Sequence, residues 1–245
     1  MNDLKQRILW YAIKYQGDWT KIGNAIQRKE AYKKIDSFPY PFVTMADKEY
    51  PKIFLRLRFP PWILFYKGNL KLLEKEMVGI VGARICTLQA LQNTEFVVKQ
   101  LRSKYTIVSG LAKGIDGMAH RSAMDESTIG IIGCGIDRIY PKENEQLYYE
   151  MEKKQLILSE YPPGVPPLKH HFPWRNRLIA ACSKYLIVIQ AKKRSGTMLT
   201  VNECVELSIP VYCLPSSFNE EQYDGCNYLI ENGAYLLTKE ELAKL

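Results

Sequence analysis

Hydrophobic and polar positions fall into two regimes along the chain. Over residues 1–33 the apolar positions Leu4, Ile8, Leu9, Tyr11, Ala12 and Tyr15 recur near one face of a first helix. Gly17-Asp18 breaks that helix, and Trp19, Ile22, Ala25 and Ile26 mark a second, shorter one. Pro39, Pro41, Pro51, Pro60 and Pro61 then forbid long regular elements. Residues 35–75 therefore read as an irregular joint, ending in a strand at 62–66 and a turn at Gly68-Asn69.

From Met77 the pattern changes to short apolar runs at 77–82, 106–110, 128–133, 156–161, 185–190, 210–215 and 234–238. Longer amphipathic segments separate them, predicting helices over 87–103, 114–125, 144–153, 174–182, 197–208 and 225–232. Each run is apolar on both faces, as a strand covered by helices on both sides must be. Strand–helix alternation of this kind predicts an α/β fold with a doubly wound, mostly parallel sheet. Ligands in such sheets sit beyond the carboxyl ends of the strands, often on helix N-termini.

Composition narrows the class. Hydrophobic residues at 47% and charged residues at 24% suit a globular protein and exclude a disordered, collagen-like or coiled-coil chain. No stretch approaches a membrane span, and the N-terminal residues lack the apolar core of a secretory signal, so a cytoplasmic protein is expected. The six cysteines form no CxxC pair and the three histidines no metal motif; buried reduced thiols are expected, with no metal. The net charge of +8 is unevenly placed. Residues 161–202 hold seven bases and no acid, whereas 203–245 hold two bases against eight acids. An acid-free basic segment points to an anionic partner, nucleic acid first, since a membrane would also need an amphipathic or lipidated anchor.

The residues after each strand supply candidates for that contact. Gly82-Ala83-Arg84 is no dinucleotide fingerprint, but Gly82 allows close approach to the backbone and Arg84 can clamp a phosphate bidentately. Ser109 and Gly110 open a second turn suited to an anion; nearby, Asp116 is a helix cap or an arginine partner. In 161–183, Lys169, Phe172, Trp174, Arg175 and Arg177 interleave cations with rings, the chemistry of single-stranded nucleic-acid binding; core packing accounts for the two aromatics equally well. Arginines at a helix start oppose its dipole, a cost an anionic ligand would remove, and Asn176 lies between them. Ser195, Gly196 and Thr197 begin another helix, where phosphate binding and plain capping are both open. Catalytic motifs are lacking: there is no GxSxG elbow and no Walker A loop, and His120 reads as a packed helical histidine.

The stretches at 82–84, 109–116, 118–120, 133–144, 158–164, 172–180, 195–200 and 227–234 together resemble the DprA/Smf family of DNA-processing proteins, over about residues 50–238. The resemblance implies an extended Rossmann-like domain at 46–245 that binds single-stranded DNA without base specificity, preceded by a small helical module at 1–45. It implies a non-enzymatic, dimeric mediator that protects incoming strands and loads the RecA recombinase during natural transformation, with no cofactor. It places phosphate and base contacts on Arg84, Lys169 and Phe172 beside the 175–177 run, and self-association around Asn227, Ile230 and Leu236. Three departures stand out: Ala83 replaces the usual serine, Ser216 replaces the usual glycine, and with the chain ending at Leu245 the winged-helix domain of many members is not expected. A second reading is a nucleoside-monophosphate hydrolase of the lysine-decarboxylase-like Rossmann group. Its glycine-rich loop resembles 195–203 loosely, with Glu203 as the carboxylate, displaced from the group's spacing.

Overall fold

The computed structural model describes residues 3–217 and 219–245. Helices α1 (Asp3–Lys14) and α2 (Trp19–Gln27) open the chain. Asp18 caps α2 by accepting the Lys21 N–H at 2.9 Å. Strands β1 (Phe42–Thr44) and β2 (Ile63–Gly68) flank a short 3-10 turn at Lys52–Arg56. Strict alternation follows: β3 (Met77–Val81), α3 (Leu88–Leu101), β4 (Thr106–Ser109), α4 (Ile115–Ser122), β5 (Thr128–Ile132), α5 (Glu145–Lys154) and β6 (Leu156–Ser159). It continues through α6 (His171–Cys182), β7 (Leu186–Val188), α7 (Gly196–Glu206), β8 (Val211–Cys213), α8 (Gly225–Glu231), β9 (Tyr235–Leu236) and α9 (Lys239–Lys244). Every strand and helix expected from Met77 onward is present. Two differences bear on function: α6 starts at His171 rather than at residue 174, and β1 occupies part of the proline-rich joint.

The strands form one sheet in the order β1-β2-β6-β5-β4-β3-β7-β8-β9. β2 runs antiparallel to both β1 and β6, and all other pairs are parallel. Side chains alternate between layers with the period of two that a pleated strand imposes. Met77 and Val81 of β3, Val108 of β4 and Leu186 and Val188 of β7 join one core with α6 and α7. Val78 and Ile80, Ile107, and Ile187 join the opposite core with α3 and α4. A one-residue slip would exchange the two sets, so burial on both faces pins the register. The N-terminal helices extend the second layer: Ile8, Leu9 and Tyr11 of α1 share a cluster with Phe65 of β2, Tyr148 of α5 and Ile157 of β6.

From β3 the chain winds outward through β4, β5 and β6, then returns to β3's other side and winds away through β7, β8 and β9. The crossovers diverge between β3 and β7. That switch point is where an open α/β sheet leaves room for a ligand.

Candidate functional site

A groove of about 730 Å³ opens at this switch point, beyond the carboxyl ends of β3 and β7. The loop after β3, the start of α6 and the start of α7 form most of its wall. Among the described residues its lining includes four bases, Arg84, Lys169, Arg175 and Lys192, against one acid, Asp116.

Arg84 is exposed, and its guanidinium packs 5.2 Å from the centroid of the Phe172 ring. Phe172 in turn lies 5.5 Å from Tyr140, tilted by 35°. Lys169 stands exposed at the mouth. Gly82 is required by packing as much as by any ligand: a Cβ there would come within 2.6 Å of Ile115 Cγ1 on α4. Ala83 fixes the loop through its backbone, donating to Gln190 O at 2.8 Å.

Arg175 is buried beneath the groove and donates to the carbonyls of Gly110 (2.8 Å) and Ile131, joining the ends of β4 and β5. Its Nε has no hydrogen-bond partner among the described residues. Burial pulls its pKa below the usual arginine value, against the field of Asp116. Asp116 lies in the first turn of α4, behind the cap residue Gly114, and accepts the Gly110 N–H at 3.2 Å. Burial raises its pKa above the ordinary carboxylate value, against the fields of Arg175 and Arg84; no side chain caps α4, and Asp116 faces these arginines instead. Gly110 is the spacer in this cluster, since a Cβ would sit 2.6 Å from both Arg175 Nη2 and Asp116 Oδ2.

α7 presents its N-terminus to the groove. Ser195 precedes it without making a side-chain cap; its hydroxyl donates to Lys192 O at 2.9 Å instead. The buried side chains of Thr197 and Thr200, one turn apart, line the wall, and Gly196 has open space where a side chain would be. Asn176 donates to Gly196 O at 3.3 Å, joining α6 to α7. Unsatisfied amides at a helix start beside several cations make an anion seat.

Other sequence candidates lie elsewhere. Ser109 is fully buried and donates to Ile80 O at 2.6 Å, supporting the turn from below. Arg177 points away from the groove into a buried bidentate pair with Glu160, both contacts 2.6 Å, over the Trp174 ring at 4.2 Å. The helix-start reasoning misplaced these arginines: with α6 beginning at His171 they occupy its second turn, and Arg177's charge is met by Glu160. Asn227 is engaged within the chain, exchanging hydrogen bonds with the backbone of Ser216. Ile230 packs partly against the core, and Leu236 is 45% exposed on the edge strand β9. His120 is packed as expected; burial and two arginines push its pKa down to about 3. Among the described residues no group of side chains has the makings of a metal site, and no helix is long and apolar enough to cross a membrane. Sequence reasoning missed Tyr140, Ile85 and Lys192, all of which line the groove.

Residues 41–244 match the family described as DNA recombination-mediator protein A. The chain is 43% identical over 201 residues to DNA processing protein DprA of Streptococcus pneumoniae, spanning 81% of this chain and 71% of that protein. It is 34% identical over 201 residues to protein Smf of Escherichia coli, spanning 80% and 54%. Among solved structures, S. pneumoniae DNA processing protein A superposes with a TM-score of 0.82 at 35% identity, covering 98% of this chain and 94% of that one. DNA processing protein A from Helicobacter pylori, solved for its single-stranded DNA binding mode, superposes with a TM-score of 0.74 at 35% identity, covering 81% and 91%. With its sequence matched from residue 41 to 244 and its fold shared along nearly its whole length, the chain belongs to the DNA recombination-mediator protein A family, that of DprA and Smf.

Proposed function

We propose that the protein binds single-stranded DNA without sequence preference in the cytoplasm, shields it, and delivers it to the RecA recombinase, acting as a binding protein rather than an enzyme. One observation carries this reading: four bases and an open helix N-terminus converge on a groove lined, among the described residues, by a single acid. Such a surface neutralises phosphates and reads no base edge. Arg84 and Lys169 contact phosphates, Arg175 and the start of α7 hold the floor positive, and Asn176 sets the spacing of α6 and α7. The exposed apolar edge at Tyr228, Tyr235 and Leu236, beside Ile230, supports self-association through the last strand.

The hydrolase reading needs Glu203 in the groove. Six residues beyond Thr197, it is turned by about 240° around α7 and is not part of the groove's lining. Thr200, on the groove side, carries no carboxylate.

Binding of a labelled poly-dT 30-mer, challenged with duplex DNA and nucleoside monophosphates, tests the proposal. The expected result is preference for the single strand and a salt slope of about 0.7 per neutralised phosphate. Arg84→Ala and Lys169→Ala should each weaken binding and lower that slope. Unchanged binding in both variants would sink the site assignment. Release of free base from a monophosphate, abolished in Glu203→Gln, would move the protein to the hydrolase class. Faster RecA assembly on strands carrying the protein would support delivery; no change would remove it.

A further inference from the structure

Phe172, the ring a base would be expected to stack on, is not free. Arg84 lies over it and Tyr140 leans against it, leaving it half-buried. Among the described residues three other large apolar side chains are exposed along the groove, Leu199 on α7 and, on loops at the rim, Tyr140, 41% exposed, and Ile85, 80% exposed. The fold clamps the two loop residues by their backbones, with the Tyr140 ring also resting against Phe172. Tyr140 O accepts the hydroxyl of buried Tyr148 at 2.8 Å, and Ile85 O accepts the hydroxyl of buried Tyr223 at 3.1 Å. Each clamp therefore fixes a main-chain carbonyl while one face or more of its side chain stays open to solvent, beside the cations of the floor.

We infer that Tyr140 and Ile85 are the base-contacting lips of the groove, and that they, rather than the cationic floor, separate a single strand from a duplex. The inference rests on the DNA-binding reading above. A phosphate looks alike to the floor in either form of DNA, whereas base faces are open only in a single strand. An aromatic ring or a branched aliphatic chain held on a fixed backbone meets those faces with little ordering cost.

The full-length chain would be titrated with a dT oligonucleotide and with an abasic oligonucleotide carrying the same number of phosphates. The wild type should favour dT. Tyr140→Ser should lose at least about fivefold for dT and nothing for the abasic strand, with the salt slope unchanged. Tyr140→Phe should retain wild-type behaviour. Ile85→Ser should lose at least about threefold for dT alone. Because the clamps use main-chain carbonyls, the variants keep them; Tyr140→Ser gives up in addition the ring contact with Phe172, and urea unfolding would measure what that costs. If the wild type binds neither strand, the DNA-binding reading itself fails. Equal binding of both strands by the wild type overturns the lips. So does unchanged dT binding in both serine variants, or a change in oligomeric state instead of affinity.

Discussion

Arg177 and Arg84 make opposite predictions, although the sequence treats them alike. Arg177 is 4% exposed, and its guanidinium spans both oxygens of Glu160 at 2.6 Å. It also donates to Phe59 O at 3.2 Å and Trp174 O at 3.0 Å. Arg177→Ala would leave Glu160 as a buried carboxylate without its counter-ion, a change that costs about 3–5 kcal/mol. The hydrogen bonds lost at the two carbonyls and the lost contact with Trp174 fall within that range rather than adding to it, because one side chain supplies all of them. For a chain of this size the melting temperature should drop by roughly 10 °C. Single-strand affinity per folded molecule should stay within about twofold, since Arg177 is not part of the groove. Removing both charges by Arg177→Met with Glu160→Gln should recover much of the loss, because a neutral pair has far less desolvation to offset. Urea unfolding gives the stability, and titration of dT into protein held well below the transition gives the affinity. Arg84→Ala, exposed on the groove, should do the reverse. If Arg177→Ala kept its stability and lost DNA, Arg177 would be a ligand contact and the orientation of α6 would be wrong.

Two further outcomes follow from groups near the groove. His120 accepts the Leu111 N–H on Nε2 at 3.4 Å and so carries its proton on Nδ1, 2.7 Å from Thr128 Oγ1, whose hydroxyl donates to Ile107 O. Its pKa falls from 6.5 to about 3 on folding. Below pH 6.5 the unfolded chain takes up a proton that the folded chain refuses, so stability present above that pH is lost as pH falls towards 3, by about 2 kcal/mol at pH 5. His120→Gln should flatten the pH dependence of the unfolding free energy in this window; an unchanged slope would mean that the imidazole is not held neutral. Gly110→Ala would push a methyl group onto the Arg175 guanidinium, displacing it from the carbonyls of Gly110 and Ile131. It should cost about 1–3 kcal/mol in urea unfolding and weaken dT binding, and a variant that binds as the parent does would show that Arg175 adds nothing to the floor.

The parallel part of the sheet was legible because each strand is short, apolar on both faces and followed by an amphipathic helix. β1 was not, because Pro39 and Pro41 read as breakers. Both lie before the strand, which begins at Phe42, and Pro41 takes part only through its carbonyl, which accepts the Tyr66 N–H at 3.0 Å, so no proline N–H is needed. The groove's position followed from topology, and Gly82, Arg84, Lys169, Phe172, Arg175, Asn176, Ser195, Gly196 and Thr197 all line it. Tyr140 and Ile85 were invisible, since an exposed apolar residue in a loop has no periodicity to mark it.

Charge was the least faithful signal, for a reason the fold makes explicit. Residues 161–202 contain seven bases and no acid, yet three of those bases meet acids brought from other segments. Arg177 pairs with Glu160, Lys184 with Glu76 and Lys193 with Asp224. Lys169, Arg175 and Lys192 remain in the groove, joined by Arg84 from the loop after β3. Arg175 and Arg177 lie only two residues apart, but a helix turns about 200° over that interval, so one closes the floor and the other faces the opposite side. Asp116 lends its field to Arg175, but the direct ion-pair partner of Arg177 is Glu160, just after β6. Its carboxylate is the counter-charge that turns one of two similar arginines into structure and leaves the other as part of the site.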